Sequence, residues 1–405
     1  MAIIWQPERT IVAPHAIIAR ASEMTYLSCE PCSAESLVML SSISRAMLAD
    51  PVARRVPQYV ALAYWLRSAS LQRLKDEFLA NQHFGTMQIA RGVALHLPPT
   101  NVDTIFVYSW ALSVLAGNSN IVRLPESQSA DAEWLVNTIA KVVNDCGASA
   151  RQLFCSYEYG GQTERDLSAH CDLRMIWGGD RKVASVGATP IRPDGLSIGF
   201  PDRKSLAIIS STAYAAADNA ARNALATQFY NDLFWFDQMG CGSPRLLIWI
   251  GNSGQVSGDF YDRLGTIVSI RNYQVETGVV IGKIAFGNDL LADGIADQHI
   301  TYSNAFSVAR VTGPAMALER AHGGGFLCEW VVDHLDNVPP VISRTIQTIT
   351  HFGLSRDEIE ELARGISGRG GYRIVPVGEA LQFDPVWDGV SLFDHMTRKI
   401  VMRHA

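Results

Sequence analysis

Phe236-Asp237-Gln238-Met239-Gly240-Cys241-Gly242-Ser243-Pro244-Arg245 sets a cysteine between two glycines, after an aromatic helical stretch and before an apolar run. Small neighbours let a carbonyl carbon approach the sulfur. Backbone N–H groups at such a turn can stabilise a thiolate or an oxyanion. That is the pattern of a nucleophilic thiol. The plainer reading is a cysteine packed as a small apolar residue. A second segment, Pro98-Pro99-Thr100-Asn101-Val102-Asp103-Thr104, follows a strand-like run and opens a helix. The Asn101 amide can donate to a developing oxyanion, and it can equally cap a helix.

Two further segments suit a nucleotide. Gly117-Asn118 leads through an apolar strand to Arg123 and Glu126. A carboxylate there suits ribose hydroxyls, and a guanidinium suits a 2′-phosphate. The alternative is a surface ion pair between them. Gly178-Gly179-Asp180 stands between a strand and a helix, where glycines allow a phosphate close to a helix N-terminus. It is not a GxGxxG fingerprint, Asp180 opposes an anion, and a turn with an N-cap explains it as well. Cys29-Glu30-Pro31-Cys32 has CxxC spacing but no second ligand pair, so no metal site is expected. The ten histidines show no ligand spacing, and His96 and His170 read as structural.

The elements that must position these residues alternate. After a helical stretch over 33–82, strands are expected at 91–97, 120–124, 152–157 and 173–177, with helices at 104–116 and 131–144 between them. A second series follows: a strand at 206–210, an Ala-rich helix at 213–229, a strand at 245–250 and a helix at 257–273. Three strand-like runs at 326–335, 345–352 and 372–377 complete it, with a helix at 356–364. Strand–helix alternation indicates an α/β fold with parallel sheets and a crevice at the strand C-termini. The expected division is 1–204, a helical segment plus a dinucleotide-binding domain; 205–375, a domain carrying the thiol; and 376–405, a segment packing back on the core.

With 405 residues, 48% of them hydrophobic and 18% charged, the chain can build large cores, and bulk disorder is excluded. The net charge of -6 argues against a general nucleic-acid binder. No run reaches the ~18 apolar residues of a membrane span, and the first residues do not read as a secretory signal. Seven cysteines in such a chain suggest reduced thiols and a cytoplasmic location.

Taken together, the segments resemble the LuxC-type acyl-CoA reductases, the fatty-acid reductase subunits within the aldehyde dehydrogenase superfamily. The resemblance covers roughly 85–395 and is strongest at Pro98–Glu126, Phe234–Pro244 and Arg373–Gly389. It implies an aldehyde-dehydrogenase-like α/β fold, with a Rossmann-type cofactor domain and a second α/β catalytic domain. Cys241, in a Gln-x-x-Cys-x-Ser-Pro context, matches the acyl-accepting cysteine, and Asn101 the side-chain oxyanion donor. Arg123 and Glu126 fall where the superfamily has Lys and Glu. Gly178 and Gly179 fall at its phosphate turn. The position of the hydrolytic general-base Glu holds Phe200.

The implied activity is NAD(P)H-dependent reduction of acyl-CoA, or an acyl-carrier thioester, to the aldehyde through an acyl-Cys241 intermediate. Arg123 favours NADPH, while Glu126 leaves NADH open. The resemblance also implies a homo-oligomer and leaves room for an acyl-activating protein partner; charge and the lack of a long apolar run argue against nucleic acid and membrane. The alternative is a non-catalytic or acyl-transfer partner of an acyl-activating enzyme or carrier protein. Trp110, Phe234, Trp235 and Trp387 suit an acyl tunnel or, equally, the core.

Overall fold

All five residues of Val93–Leu97 are buried, as a strand covered on both faces requires. Pro98 offers no N–H, and the ladder ends there. In the computed structural model, residues 2–5, 8–81, 85–99, 102 and 104–403 are described. They form two compact units: Met1–Pro201 with Phe383–Ala405, and Asp202–Gln382. Residues 376–382 therefore stay with the second unit, and Phe383 onward return to the first.

The first unit holds a seven-stranded sheet. Its order is Arg9–Val12, Ala2–Trp5, Gln152–Ser156, Ser119–Arg123, Val93–Leu97, Leu173–Trp177 and Leu196–Phe200. The last five are parallel, and the two N-terminal strands join antiparallel at one edge. Chain order reverses between Val93–Leu97 and Leu173–Trp177, so the turns at Pro98 and Gly178 flank a topological switch point, where open α/β sheets bind ligands. The helix Thr104–Leu115 is buried throughout.

Two of the buried polar side chains inside this unit, Asn118 and His96, are bonded on both sides. Asn118 accepts from the Arg91 and Gly92 N–H groups at 2.8 and 3.0 Å and donates to the Met396 carbonyl at 2.9 Å. His96 lies between the Ser109 hydroxyl and the Asn120 amide oxygen, and burial pulls its pKa down to about 4, so it is neutral. Gly117 has φ +86°, and a Cβ there would lie 2.2 Å from the Cys29 carbonyl oxygen. That CxxC loop is packing, with Cys32 buried.

The second unit holds another seven-stranded sheet. Its order is Ala296–Ser303, Phe306–Val311, Phe326–Val332, Pro244–Ile250, Lys204–Ser210, Ile346–Phe352 and Arg373–Pro376, parallel except for the first strand. Separate apolar cores cover its two faces. The Ala-rich segment is two helices, not one. Asp218 Oδ1 accepts from the Ala221 N–H at 2.8 Å and starts a new helix at Asn219–Phe234. A short acid favours a cap over a helix interior.

Candidate active site

The helix Asn219–Phe234 runs directly into the thiol turn. Phe236, Asp237 and Gln238 are all left-handed, with φ of 55°, 53° and 60°. Non-glycine residues adopt that region only when surroundings hold them there. Here Asp237 Oδ1 accepts from the Tyr273 hydroxyl at 2.6 Å, and the Asp237 carbonyl accepts from the Gly324 N–H at 3.0 Å. Gln238 is fully buried; its Nε2 donates to the Pro244 and Phe326 carbonyls at 2.8 and 3.0 Å. Its Oε1 accepts from the Gly325 N–H at 3.0 Å. A Cβ on Gly325 would lie 2.1 Å from the Ala305 carbonyl oxygen, so glycine is required for this fit.

Beyond the triplet, the Ser243 N–H bonds the Gly240 carbonyl at 3.0 Å, closing a turn around Cys241. The Ser205 hydroxyl donates to the Cys241 carbonyl at 2.7 Å and accepts from the Thr348 N–H at 3.1 Å. The half-buried thiol thus rides on a turn tied to several strands. Arg245, the second residue of the following strand, donates to the His322 carbonyl.

Residues 378–382 pack against the same turn. A Cβ on Gly242 would lie 2.4 Å from the Ala380 carbonyl oxygen, and one on Gly240 3.1 Å from Leu381. Asp232 pins this loop by accepting from the Gly378 and Ala380 N–H groups at 2.7 and 3.1 Å. Burial pushes the Asp232 carboxyl from 3.8 up to about 7, against the pull of those N–H groups and of Arg373; Glu379 adds to the rise. The folded state therefore holds this proton more tightly than the unfolded chain. Its stabilising contribution is full below about pH 4 and is lost as pH rises through about 7. Asp232→Asn is expected to remove this slope. The melting temperature of the variant relative to wild type should rise steadily from pH 4 to 8; a constant difference would contradict the assignment.

At the strand edge of the first unit, Arg123 lies against the Tyr157 and Tyr159 rings, at 5.6 and 5.4 Å to the centroids. It donates to the Tyr157 carbonyl at 3.3 Å, and its Nε is buried without a partner among the described residues. Glu126 is exposed and forms no ion pair with it. Gly178 and Gly179 lead into the helix Asp180–Gly187, with Gly179 as N-cap. Sequence reasoning missed Lys182 in this helix. Its Nζ donates to the Leu97 and Pro98 carbonyls at 3.3 and 2.6 Å, bridging the two turns of the switch point. Burial, with Arg123 nearby, lowers its pKa to about 8. The buried Glu164 is a second group the sequence did not mark. No pattern distinguishes either from an ordinary surface helix charge.

Asn101 lies outside the described residues. Phe200 ends its strand buried, stacked on Trp177 at 3.9 Å between centroids. Trp177 and Trp387 join an aromatic cluster with Tyr108 and Phe383. Trp110 is core, bonded to Gln152, and Phe234 packs on Tyr230 and Tyr273. Among the described residues no helix is long and apolar enough to cross a membrane.

Known proteins resemble this chain at two levels. Solved structures share the fold at low identity. An NAD-dependent aldehyde dehydrogenase from Sinorhizobium meliloti is 13% identical, with TM-score 0.68, covering 96% of this chain and 86% of that one. Glyceraldehyde-3-phosphate dehydrogenase GapN from Methanocaldococcus jannaschii, complexed with NADP, is 7% identical, with TM-score 0.68 and coverage of 96% and 94%. Aldehyde dehydrogenase 21 from Physcomitrella patens, complexed with succinate, is 11% identical, with TM-score 0.68 and coverage of 97% and 91%. A search of curated proteins finds no matching sequence. The family model for acyl-CoA reductase (LuxC) matches residues 55–269, beginning within the N-terminal helices and taking in the thiol turn. The chain belongs to the LuxC acyl-CoA reductase family and carries an aldehyde-dehydrogenase fold, which together make it an aldehyde-related reductase.

Proposed function

We propose that this chain reduces an acyl thioester, as acyl-CoA or on a carrier protein, to the aldehyde through an S-acyl intermediate on Cys241, with NADPH as reductant. The observation that carries the reading is the thiol turn: a half-buried cysteine between two small residues, tied to its sheet by Gln238 and Ser205. The Cys241 thiolate attacks the thioester carbonyl carbon, and charge moves onto the oxygen. The Asn101 amide and the Cys241 N–H donate hydrogen bonds to that oxyanion. Collapse expels the donor thiolate and leaves the acyl group on Cys241. Phe200 presents an aromatic ring where hydrolytic relatives carry a general base, so no carboxylate from that position activates water against the acyl-enzyme. Cys241 departs again as thiolate when the reduced adduct collapses to the aldehyde.

The first unit suits the cofactor. Arg123 Nε is a buried donor with no acceptor among the described residues, which an anionic 2′-phosphate satisfies. Glu126 is exposed and able to take a ribose hydroxyl, and Gly178 and Gly179 open a helix N-terminus to the pyrophosphate. NADPH, when bound, supplies the hydride.

The test is NADPH oxidation by purified protein against acyl-CoAs of graded chain length, with aldehyde identified as product. Absence of turnover with NADPH or NADH on every CoA and carrier thioester would sink the reading. A separate expectation concerns cofactor choice. Arg123→Gln removes a charge-assisted bond of ~1.5–3 kcal/mol, which corresponds to ~10–100-fold weaker NADPH binding. NADH binding should change little. Fluorescence titration of each nucleotide checks this, and equal losses for both would overturn the assignment of Arg123.

A further inference from the structure

Lys182 sits where helix electrostatics alone would not put a cation. It is in the first turn of the helix Asp180–Gly187, where the helix dipole disfavours positive charge. Its stem folds back across Gly178. That glycine has φ +149°, and a Cβ there would lie 2.8 Å from Lys182 Cδ, so only glycine leaves the stem its path. The ammonium ends on the Pro98 and Leu97 carbonyls at 2.6 and 3.3 Å, and among the described residues no carboxylate pairs with it. The turn it reaches explains the contact. Val93–Leu97 runs into Pro98 and Pro99, two residues without an N–H. Hydrogen bonds can hold the backbone of that exit only through its carbonyl oxygens, and Lys182 takes two in succession.

The other end of this strut is itself fixed. The Gly178 N–H donates to the Phe200 carbonyl at 3.2 Å. A Cβ on Gly199 would lie 2.4 Å from Val183 Cγ1, so the helix is seated closely on Leu196–Phe200. In the sheet, Leu173–Trp177 lies between that strand and Val93–Leu97. One turn of the helix is thus fastened to the strands on both sides of Leu173–Trp177, through Val183 on one and Lys182 on the other, across the switch point. Resting on the cofactor reading above, we propose that Lys182 is a positioning residue for the nucleotide crevice: its ammonium locks the Pro98 turn against the Gly178 turn and fixes their spacing. It acts on backbone carbonyls and not on the cofactor's phosphates, so it serves NADPH and NADH alike. Without it the Pro98 turn samples other positions, and affinity falls with the fraction of time the crevice is formed.

The test joins two measurements on Lys182→Met: hydrogen exchange of the nucleotide-free protein, and fluorescence titration with NADPH and with NADH. Exchange in the peptides covering residues 94–108 should speed up by ~10-fold or more, while peptides of the second sheet keep their wild-type rates. The Kd of both nucleotides should rise by one common factor, ~10-fold if the turn is in place about a tenth of the time. Lys182→Arg keeps a cationic donor and should restore most of both effects. Lys182→Gln, shorter and neutral, should fall between them, and it carries the comparison if the methionine variant fails to fold. Weaker binding with unchanged exchange overturns the proposal, because Lys182 would then be a direct phosphate ligand. A loss confined to NADPH overturns it too. Wild type that binds neither nucleotide defeats the cofactor reading and this assignment together. Unchanged affinity in a folded variant, beside a wild type that binds, defeats this assignment alone.

Discussion

Cys241→Ala is expected to abolish acyl-CoA-dependent NADPH oxidation and covalent acyl labelling together, a loss of ~10⁴ or more as for other catalytic nucleophiles. The choice of this sulfur among seven follows from burial. Cys155, Cys171 and Cys328 are buried, and burial pushes each thiol up to about 12; Cys32 is pushed to about 11. None of these offers thiolate at neutral pH. Cys29 packs near the Ser33 and Ser36 hydroxyls at 3.8 and 3.9 Å, and Cys146 is exposed on the surface. Cys241 alone sits on a glycine-flanked turn braced from several strands. Radiolabelled acyl-CoA should mark wild type in a hydroxylamine-labile manner and leave the folded alanine variant unmarked. Label retained by the variant would move the nucleophile to Cys29 or Cys146. Label present in wild type, without aldehyde under any reductant, would point to acyl transfer alone.

Much of the fold is legible because parallel strands buried on both faces are written as short apolar runs with sharp stops. Leu173–Trp177 begins and ends where its sequence pattern does, between Asp172 and the glycine pair. Other elements carry weaker signals. Ala2–Trp5 and Arg9–Val12 are four-residue strands, the second an edge strand largely exposed, with no alternation to read. Ala296–Ser303 is an exposed antiparallel edge with mixed polarity. Thr277–Ala292 carries three glycines and apolar residues on several faces, so neither propensity nor periodicity marks it as a helix. The site divides in the same way. Cysteine between glycines is a local pattern and can be found by eye. Its supports are not local: Gln238 reaches Phe326, 88 residues on, and Lys182 reaches Pro98, 84 residues back. Such contacts exist only once the sheet order is set, and no spacing along the chain announces them.

Gln238→Leu tests that non-local support. The side chain is buried and makes three hydrogen bonds, to Pro244, Phe326 and Gly325. Leucine fills similar volume but leaves two carbonyls and one N–H unsatisfied, at ~1–3 kcal/mol each before relaxation. Because the three share one side chain, the costs do not add fully, and a net loss of ~3 kcal/mol is expected. For a domain of this size that lowers the melting temperature by ~6–12 °C. The left-handed triplet sharpens the effect on chemistry. Each of its residues stores ~1–2 kcal/mol relative to a right-handed backbone, so once Gln238 is gone the segment relaxes and carries the sulfur with it. A displacement of about 1 Å at a reacting atom costs ~10²-fold in rate. kcat/KM should therefore fall far more than the fraction unfolded at assay temperature explains. Gln238→Glu separates geometry from shape. It keeps the acceptor for Gly325 but sets a carboxylate against two carbonyl oxygens, which raises its folded-state pKa. Protonation restores a donor, so this variant gains stability relative to wild type as pH falls toward 4 and loses it as pH rises. A leucine variant as stable and active as wild type, or a glutamate variant with no pH dependence of its own, would show that the turn is held without Gln238.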